Sequence, residues 1–251
     1  AALGLVLTPL RDLASVWNFR AAWLAAHRKC VAALARGQRA VGAGDKRLPD
    51  GPVQLCLRDL PMPQGETLLL DVPAGGRRTL TCDPRDADAL FSVLCGLERV
   101  PPGSVTLADL CLTELSRGSL RRGVYLLGSH SAVLKGSLRR NLALGLRHVP
   151  SDARLARIAR KAGLADLLAR HGGLDGTLAE GGRDLSARER SALSLARILL
   201  GSPQLVLMGE ALWHLDPRAQ DALAAHLDAC GATVLRHPVL AAAPHGGPLA
   251  A

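Results

Sequence analysis

Between a short apolar run ending at Thr81 and a helical pattern beginning near Asp86 lies the segment Cys82-Asp83-Pro84-Arg85-Asp86-Ala87-Asp88-Ala89. A strand, a turn and a helix in that order can hold phosphate on backbone N–H groups. The chemistry also needs glycines in the turn, a lysine for the β and γ charges, and Ser or Thr for magnesium. This segment has no Gly, Lys, Ser or Thr, and the chain has no lysine between Lys46 and Lys135. Asp86 and Asp88 put carboxylates at the helix N-terminus, where the dipole would otherwise attract an anion. Arg85 is the only cation this segment could offer. Farther along, Ser186 and Glu189 precede RSALSLARILL at the spacing of a capping box, in which each side chain satisfies the other's backbone N–H. Gly201-Ser202-Pro203 is the matching stop signal. As an N-cap, Ser186 could give way to Asp at little cost.

The elements that must position these residues follow from hydrophobic periodicity. Short apolar runs predict strands at 53–57, 67–72, 79–81, 124–127, 205–208 and 233–235. Helical patterns fit 86–96, 152–170, 187–200 and 217–229. Strands interleaved with helices predict an α/β fold with a mainly parallel sheet. Upstream, Leu10, Trp17, Leu24 and Val31 recur every seventh residue, joined by Leu13 and Leu34, which predicts a helix over 10–36 of roughly 40 Å. Residues 37–52, rich in Gly, Pro and charge, suit a linker.

With 251 residues, 48% of them hydrophobic, the chain can bury the core of one α/β domain. Its formal charge is +9, yet only four of the 31 basic residues are lysines, and the arginines are scattered. Aromatic content of 2% and the lack of a recognisable module argue against nucleic acid as a partner. Scattered arginine suits the cytoplasmic side of a membrane. The six cysteines show no C-x-x-C pair and no His at ligand spacing, so neither a metal site nor a disulfide framework is expected. The opening AALGLVLTPL is apolar but, at ten residues, too short to span a bilayer. Beginning at Ala rather than Met, the sequence reads as a piece of a longer protein.

In order and spacing, the segments VPAGGRRTLTCDPRDADALFSVLCGL, SLRRNLALG, LAEGGRDLSARERSALSLARILLGSPQLVLMGE and Leu215-Asp216 resemble the landmarks of an ATP-binding cassette (ABC) nucleotide-binding domain of the exporter type. The resemblance implies a P-loop NTPase-like ABC ATPase domain over 53–251, with a helical subdomain at about 129–200. It also implies a linker at 37–52 and, over 1–36, the end of a membrane or cytoplasmic extension helix. An amphipathic helix packed on the domain is the other reading of that first segment. The phosphate loop falls by position on Asp83, Pro84, Arg85, Asp86, Ala87, Asp88 and Ala89. Its lysine corresponds to Ala87 when counted back from Gly96 and to Asp88 when counted forward from Gly75. Ser129 takes the place of the glutamine, Gly209 that of the magnesium-linked aspartate, and Glu210 that of the general base. Leu185, Ser186, Ala187, Arg188 and Glu189 resemble the signature LSGGQ with both glycines replaced. Asp216 matches the D-loop, which in the family meets an opposing subunit. His237 corresponds to the switch histidine, two residues early, though a lone His before a Pro is more often structural. The adenine-stacking aromatic is missing, because no Phe, Tyr or Trp lies between Trp23 and Phe91.

The resemblance therefore implies a degenerate subunit with little or no ATP hydrolysis of its own, acting in a dimeric exporter. Its partners would be a second ABC subunit with intact motifs and transmembrane domains, with no nucleic acid. Its place would be the cytoplasmic face of the plasma (inner) membrane, reached through the missing N-terminal part. ATP and Mg²⁺ would be held only at a site shared with the partner, to which this chain could lend Ser186 and Asp216. A structural or assembly module that binds no nucleotide is the alternative. An active ATPase would require Arg85 to replace the lysine.

Overall fold

The computed structural model describes residues 16–32, 44–128 and 132–238. Contacts divide the chain into two units, Ala1–Ala40 and Val41–Ala251. In the first, residues 16–32 form helix α1; the rest of the 10–36 span lies outside the described residues. Trp17, Phe19 and Trp23 are exposed on it. Trp23 stacks on His27 with ring centroids 5.2 Å apart, and the Arg20 guanidinium lies 5.6 Å from the Trp17 ring centre. Among the described residues no helix is long and apolar enough to cross a membrane.

The second unit is mixed α/β. Strands β1 (Leu55–Pro61), β2 (Thr67–Val72), β4 (Val105–Leu107) and β5 (Leu110–Cys111) form an antiparallel sheet in the order β2-β1-β4-β5. Strands β3 (Arg77–Thr79), β6 (Val124–Leu127), β9 (Leu205–Met208) and β10 (Thr233–Arg236) form a parallel sheet in the order β3-β10-β9-β6. The expectation of a mainly parallel sheet is thus corrected: the two large sheets have four strands each, and only one is parallel. Connection length explains the division. β1 and β2, and β4 and β5, are joined by turns too short for a crossover, so they must pair antiparallel. A small antiparallel pair, β7 (Gly136–Ser137) with β8 (Thr177–Leu178), completes the sheets.

Helix α2 (Pro84–Leu94) begins two residues before the predicted start, because Asp83 caps it and Pro84 sits in its first turn. The single helix expected over 152–170 is two, α5 (Asp152–Lys161) and α6 (Ala165–Arg170). Gly163 breaks it with φ +91°, a conformation open to glycine at little cost. Helices α3 (Arg117–Gly123) and α4 (Leu138–Leu142) are short; α7 (Ala187–Leu200) and α8 (Pro217–Cys230) are long. Strand β9, in the middle of the parallel sheet, is buried on both faces, which is why it reads as an unbroken apolar run. Its Leu205 and Leu207 join a cluster with Leu55, Leu57, Leu90 and Leu94, whereas Val206 and Met208 join one built on α7 and α8.

Candidate functional site

In an open parallel sheet, ligands bind beyond the carboxyl ends of the strands. Here that edge gathers Leu80 to Asp83 after β3, His237 after β10, Gly209 and Glu210 after β9, and Gly128 after β6. Backbone bonds hold the edge together: Leu80 N–H donates to Arg236 O at 2.7 Å, His237 N–H to Met208 O at 2.9 Å, and Gly209 N–H to Leu127 O at 3.0 Å.

Most residues of the phosphate-loop segment are occupied within the chain. The connection from β3 to α2 spans only residues 80–83. Asp83 caps α2, its Oδ1 accepting Arg85 N–H at 2.9 Å, while its carbonyl accepts Ala87 N–H at 3.0 Å. Asp86 is buried and accepts Gln64 N–H from the β1–β2 turn at 3.2 Å, tying helix to hairpin. Ala87 is buried, Ala89 half-buried, and Pro84, Arg85 and Asp88 are exposed. Burial, and after it the negative charge of Asp86, pushes the Cys82 thiol up. The potential at this helix N-terminus is set by the chain's own carboxylates.

The other landmarks lie around this edge. His237 is 5% exposed, and its Nε2–H donates to the Cys82 carbonyl at 3.0 Å, tying the end of β10 to the start of the turn. A Cβ on Gly209 would meet only Leu127 O at 3.7 Å and the Phe91 ring at 3.8 Å, ordinary contacts, so the backbone would accept a side chain where the ring of Phe91 now borders the space. Glu210 is exposed and opens a 3-10 turn, Glu210–His214. Ser129 lies outside the described residues.

The signature segment is braced by hydrogen bonds. Leu185 is buried, and Ser186 caps α7 with its Oγ accepting Glu189 N–H at 3.2 Å. In return Glu189 Oε2 accepts Ser186 N–H at 2.8 Å and Ser186 Oγ–H at 2.9 Å, and its Oε1 accepts Arg170 at 2.8 Å. Burial alone would raise the Glu189 carboxyl, but the bonds from Ser186 and then Arg170 hold it below its usual range. Ala187 and Arg188 are the residues that the resemblance sets against the two glycines of the signature. Arg188 donates to Asp216 Oδ2 at 2.8 Å, while Asp216 Oδ1 accepts Ala219 N–H at 2.7 Å and caps α8. The residues expected to form the signature and the D-loop are therefore linked within one chain. Sequence reasoning missed this pair, since residues 28 positions apart in different elements leave no periodic signal. It also missed Arg197, a half-buried guanidinium from α7 that binds the Asn141 carbonyl at 2.9 Å and the Ala132 carbonyl at 2.8 Å. Burial lowers its pKa to about 10.

No family model matches the chain. Among curated proteins it is 34% identical over 171 residues to the ABC transporter ATP-binding protein RamB of Streptomyces coelicolor, covering 66% of this chain and 26% of that protein. It is 27% identical over 165 residues to the ATP-dependent lipid A-core flippase of Desulfotalea psychrophila, covering 64% of this chain and 27% of the flippase. It is 36% identical over 114 residues to the glutathione/L-cysteine transport system ATP-binding/permease protein CydC of Escherichia coli, covering 45% of this chain and 20% of that one. The chain thus spans about a quarter of the length of the first two relatives. In fold it is similar to a bacterial Atm1-family ABC exporter solved with ATP bound, with a TM-score of 0.63 and 22% identity over 79% of this chain and 36% of that one. The chain is accordingly related, in sequence and in fold, to the ATP-binding domains of ABC exporters.

Proposed function

We propose that this chain is the ATP-binding cassette of an exporter whose own nucleotide site no longer hydrolyses ATP. In this reading it works beside a second cassette with intact motifs and beneath transmembrane domains, at the cytoplasmic face of the membrane. The observation that carries it is the Asp83 cap on α2: a carboxylate already occupies the helix N-terminus to which a nucleotide phosphate would bind. The remaining donor set points the same way. No lysine lies between Lys46 and Lys135, and Gly209, beside the exposed Glu210, offers magnesium no oxygen from a side chain. The residues present do not fit a magnesium nucleotide held by this chain alone.

ATP and Mg²⁺ would then be held only where the partner supplies the phosphate loop, this chain contributing Ser186 and Asp216 from across the interface. A second reading, an assembly module that binds no nucleotide even in the dimer, is favoured by one observation. Both candidate donors are already engaged, Ser186 with Glu189 and Asp216 with Arg188. Calorimetric titration with Mg-ATP, on this chain alone and then with its partner, separates the two. The chain alone is expected to bind no tighter than millimolar, about −4 kcal/mol. A micromolar constant that survives removal of the arginines discussed below overturns the proposal. Binding by the complex but not the chain favours the shared site, and binding by neither favours the assembly module.

A further inference from the structure

On the opposite edge of the parallel sheet, at the amino ends of β6 and β9, lies a cleft of about 710 Å³. Arg47 reaches it from the segment before β1, Arg122 from α3, Arg147 and His148 from the α4–α5 loop, and Arg154 from α5; among the described residues Asp50 is the one carboxylate lining it. All four arginines are exposed, and none pairs with a carboxylate among the described residues. Outside the cleft some arginines do find carboxylates, Arg77 with Asp228, Arg139 with Asp152 and Asp175, Arg170 with Glu189 and Arg188 with Asp216, and what sets the cleft apart is that four unpaired guanidinium groups line one concavity. Four like charges drawn from four separate segments repel one another unless an anion joins them.

The backbone adds to the same field. Ser151, the N-cap of α5, makes no side-chain bond to the helix, and the neighbouring Asp152 is turned to Arg139, so the first N–H groups of α5 lack a capping side chain beside Arg154. Half-buried Tyr125 and Leu146 supply an apolar flank. The volume falls within the range of small-molecule sites, roughly 300–1,000 Å³.

We propose that this cleft binds clustered phosphate groups, carried on a free small molecule or on a lipid headgroup. Guanidinium forks match phosphate oxygens two at a time, and several forks closing on one ligand favour a multiply phosphorylated anion over a single carboxylate. This inference does not rest on the function proposed above.

The test is calorimetric titration of the 251-residue chain with tripolyphosphate. The doubly substituted Arg122→Gln/Arg154→Gln chain is the cleft variant, and Arg58→Gln/Arg218→Gln, which removes the same charge outside the cleft, is the control. Saturable binding weakened about tenfold or more in the cleft variant and retained in the control is the expected result. Because the substituted side chains are exposed, an unchanged thermal midpoint will show that the cleft variant is folded. Absence of binding, or equal loss in both variants, overturns the proposal. Phosphatidylcholine vesicles carrying a minor share of a phosphoinositide form the second arm. Capture of the wild-type chain but not the cleft variant names a headgroup as the source; tripolyphosphate binding without capture names a free metabolite. The cleft variant also keeps the two proposals apart, because it removes nucleotide triphosphate bound here and leaves any bound at the α2 end.

Discussion

Replacing Ser186 tests the structural role of the signature segment with a magnitude that can be worked out in advance. Ser186→Ala removes the Oγ that accepts Glu189 N–H at 3.2 Å and donates to Glu189 Oε2 at 2.9 Å. Loss of such a cap costs about 1 kcal/mol, and for a unit of this size 1 kcal/mol lowers the melting midpoint by roughly 2–4 °C. Sequence reasoning expects Ser186→Asp to keep most of that stability, but the geometry argues otherwise. An aspartate would accept the backbone N–H yet set a second carboxylate against Glu189 where a hydroxyl proton now lies, a repulsion of about 1 kcal/mol at partly exposed positions. Ser186→Asp is therefore expected to melt no higher than Ser186→Ala, and Ser186→Asp/Glu189→Gln to recover stability relative to Ser186→Asp. Ser186→Asn, which can both accept and donate, should stay near wild type. Differential scanning calorimetry at neutral pH decides it. If Ser186→Asp melts with wild type, the reciprocal bond to Glu189 is not what holds this turn. Turnover of the co-expressed complex adds the functional reading: a variant that keeps its midpoint but stops the complex would place the hydroxyl in the partner's chemistry.

Glu210→Gln should leave ATP turnover of the isolated chain unchanged, whereas loss of a working general base typically costs on the order of 10²-fold or more; hydrolysis that disappears with this substitution would refute the inactive site. Asn141 is fully buried and bonds Leu134 N, Leu134 O and Ser137 O, so Asn141→Leu should lower stability by about 3 kcal/mol in urea denaturation. Burial lowers the pKa of His226 below its usual 6.5, with the charges of Lys161 and Arg154 adding to it. Its contribution is present above the ordinary value and lost as pH falls through the depressed folded value. Stability should decline as pH falls from neutral through 6.5 and below, and a denaturation series with His226→Gln should show a flatter decline. Glu189, held low by its bonds, follows the carboxylate pattern: its stabilisation is complete above about 4.5 and should vanish in acid as pH falls through its lowered value.

What could be read in advance were features written in neighbouring residues. Strands at 67–72, 124–127 and 205–208 and the helix at 187–200 carry unambiguous apolar runs or a capping box, and each forms over those same residues. The β4–β5 hairpin went unseen because it turns on Ala108 and Asp109, both at positive φ, 50° and 63°, where a Gly or Asn would have signalled such a turn. The break between α5 and α6 rests on one glycine inside an otherwise helical pattern. At the site, the lack of a lysine in 82–89 and of a side-chain oxygen at Gly209 is evident from residue types. The Asp83 cap, the Asp86 tether to Gln64 and the Arg188–Asp216 pair depend on distances between elements, which a linear pattern does not encode.

The short capped turn ahead of α2 also has an evolutionary consequence. Restoring a lysine is a single change, but at Ala87 it would thrust an ammonium into the core and at Asp88 it would point into solvent. A phosphate cradle would further require lengthening the 80–83 connection, shortening the helix, and releasing Asp83 from its cap and Asp86 from the hairpin. Each of those steps alone removes a stabilising contact before any phosphate affinity is gained. On the function proposed above, no single substitution would therefore give this turn a phosphate cradle, because the changes in length, capping and tethering have to come together.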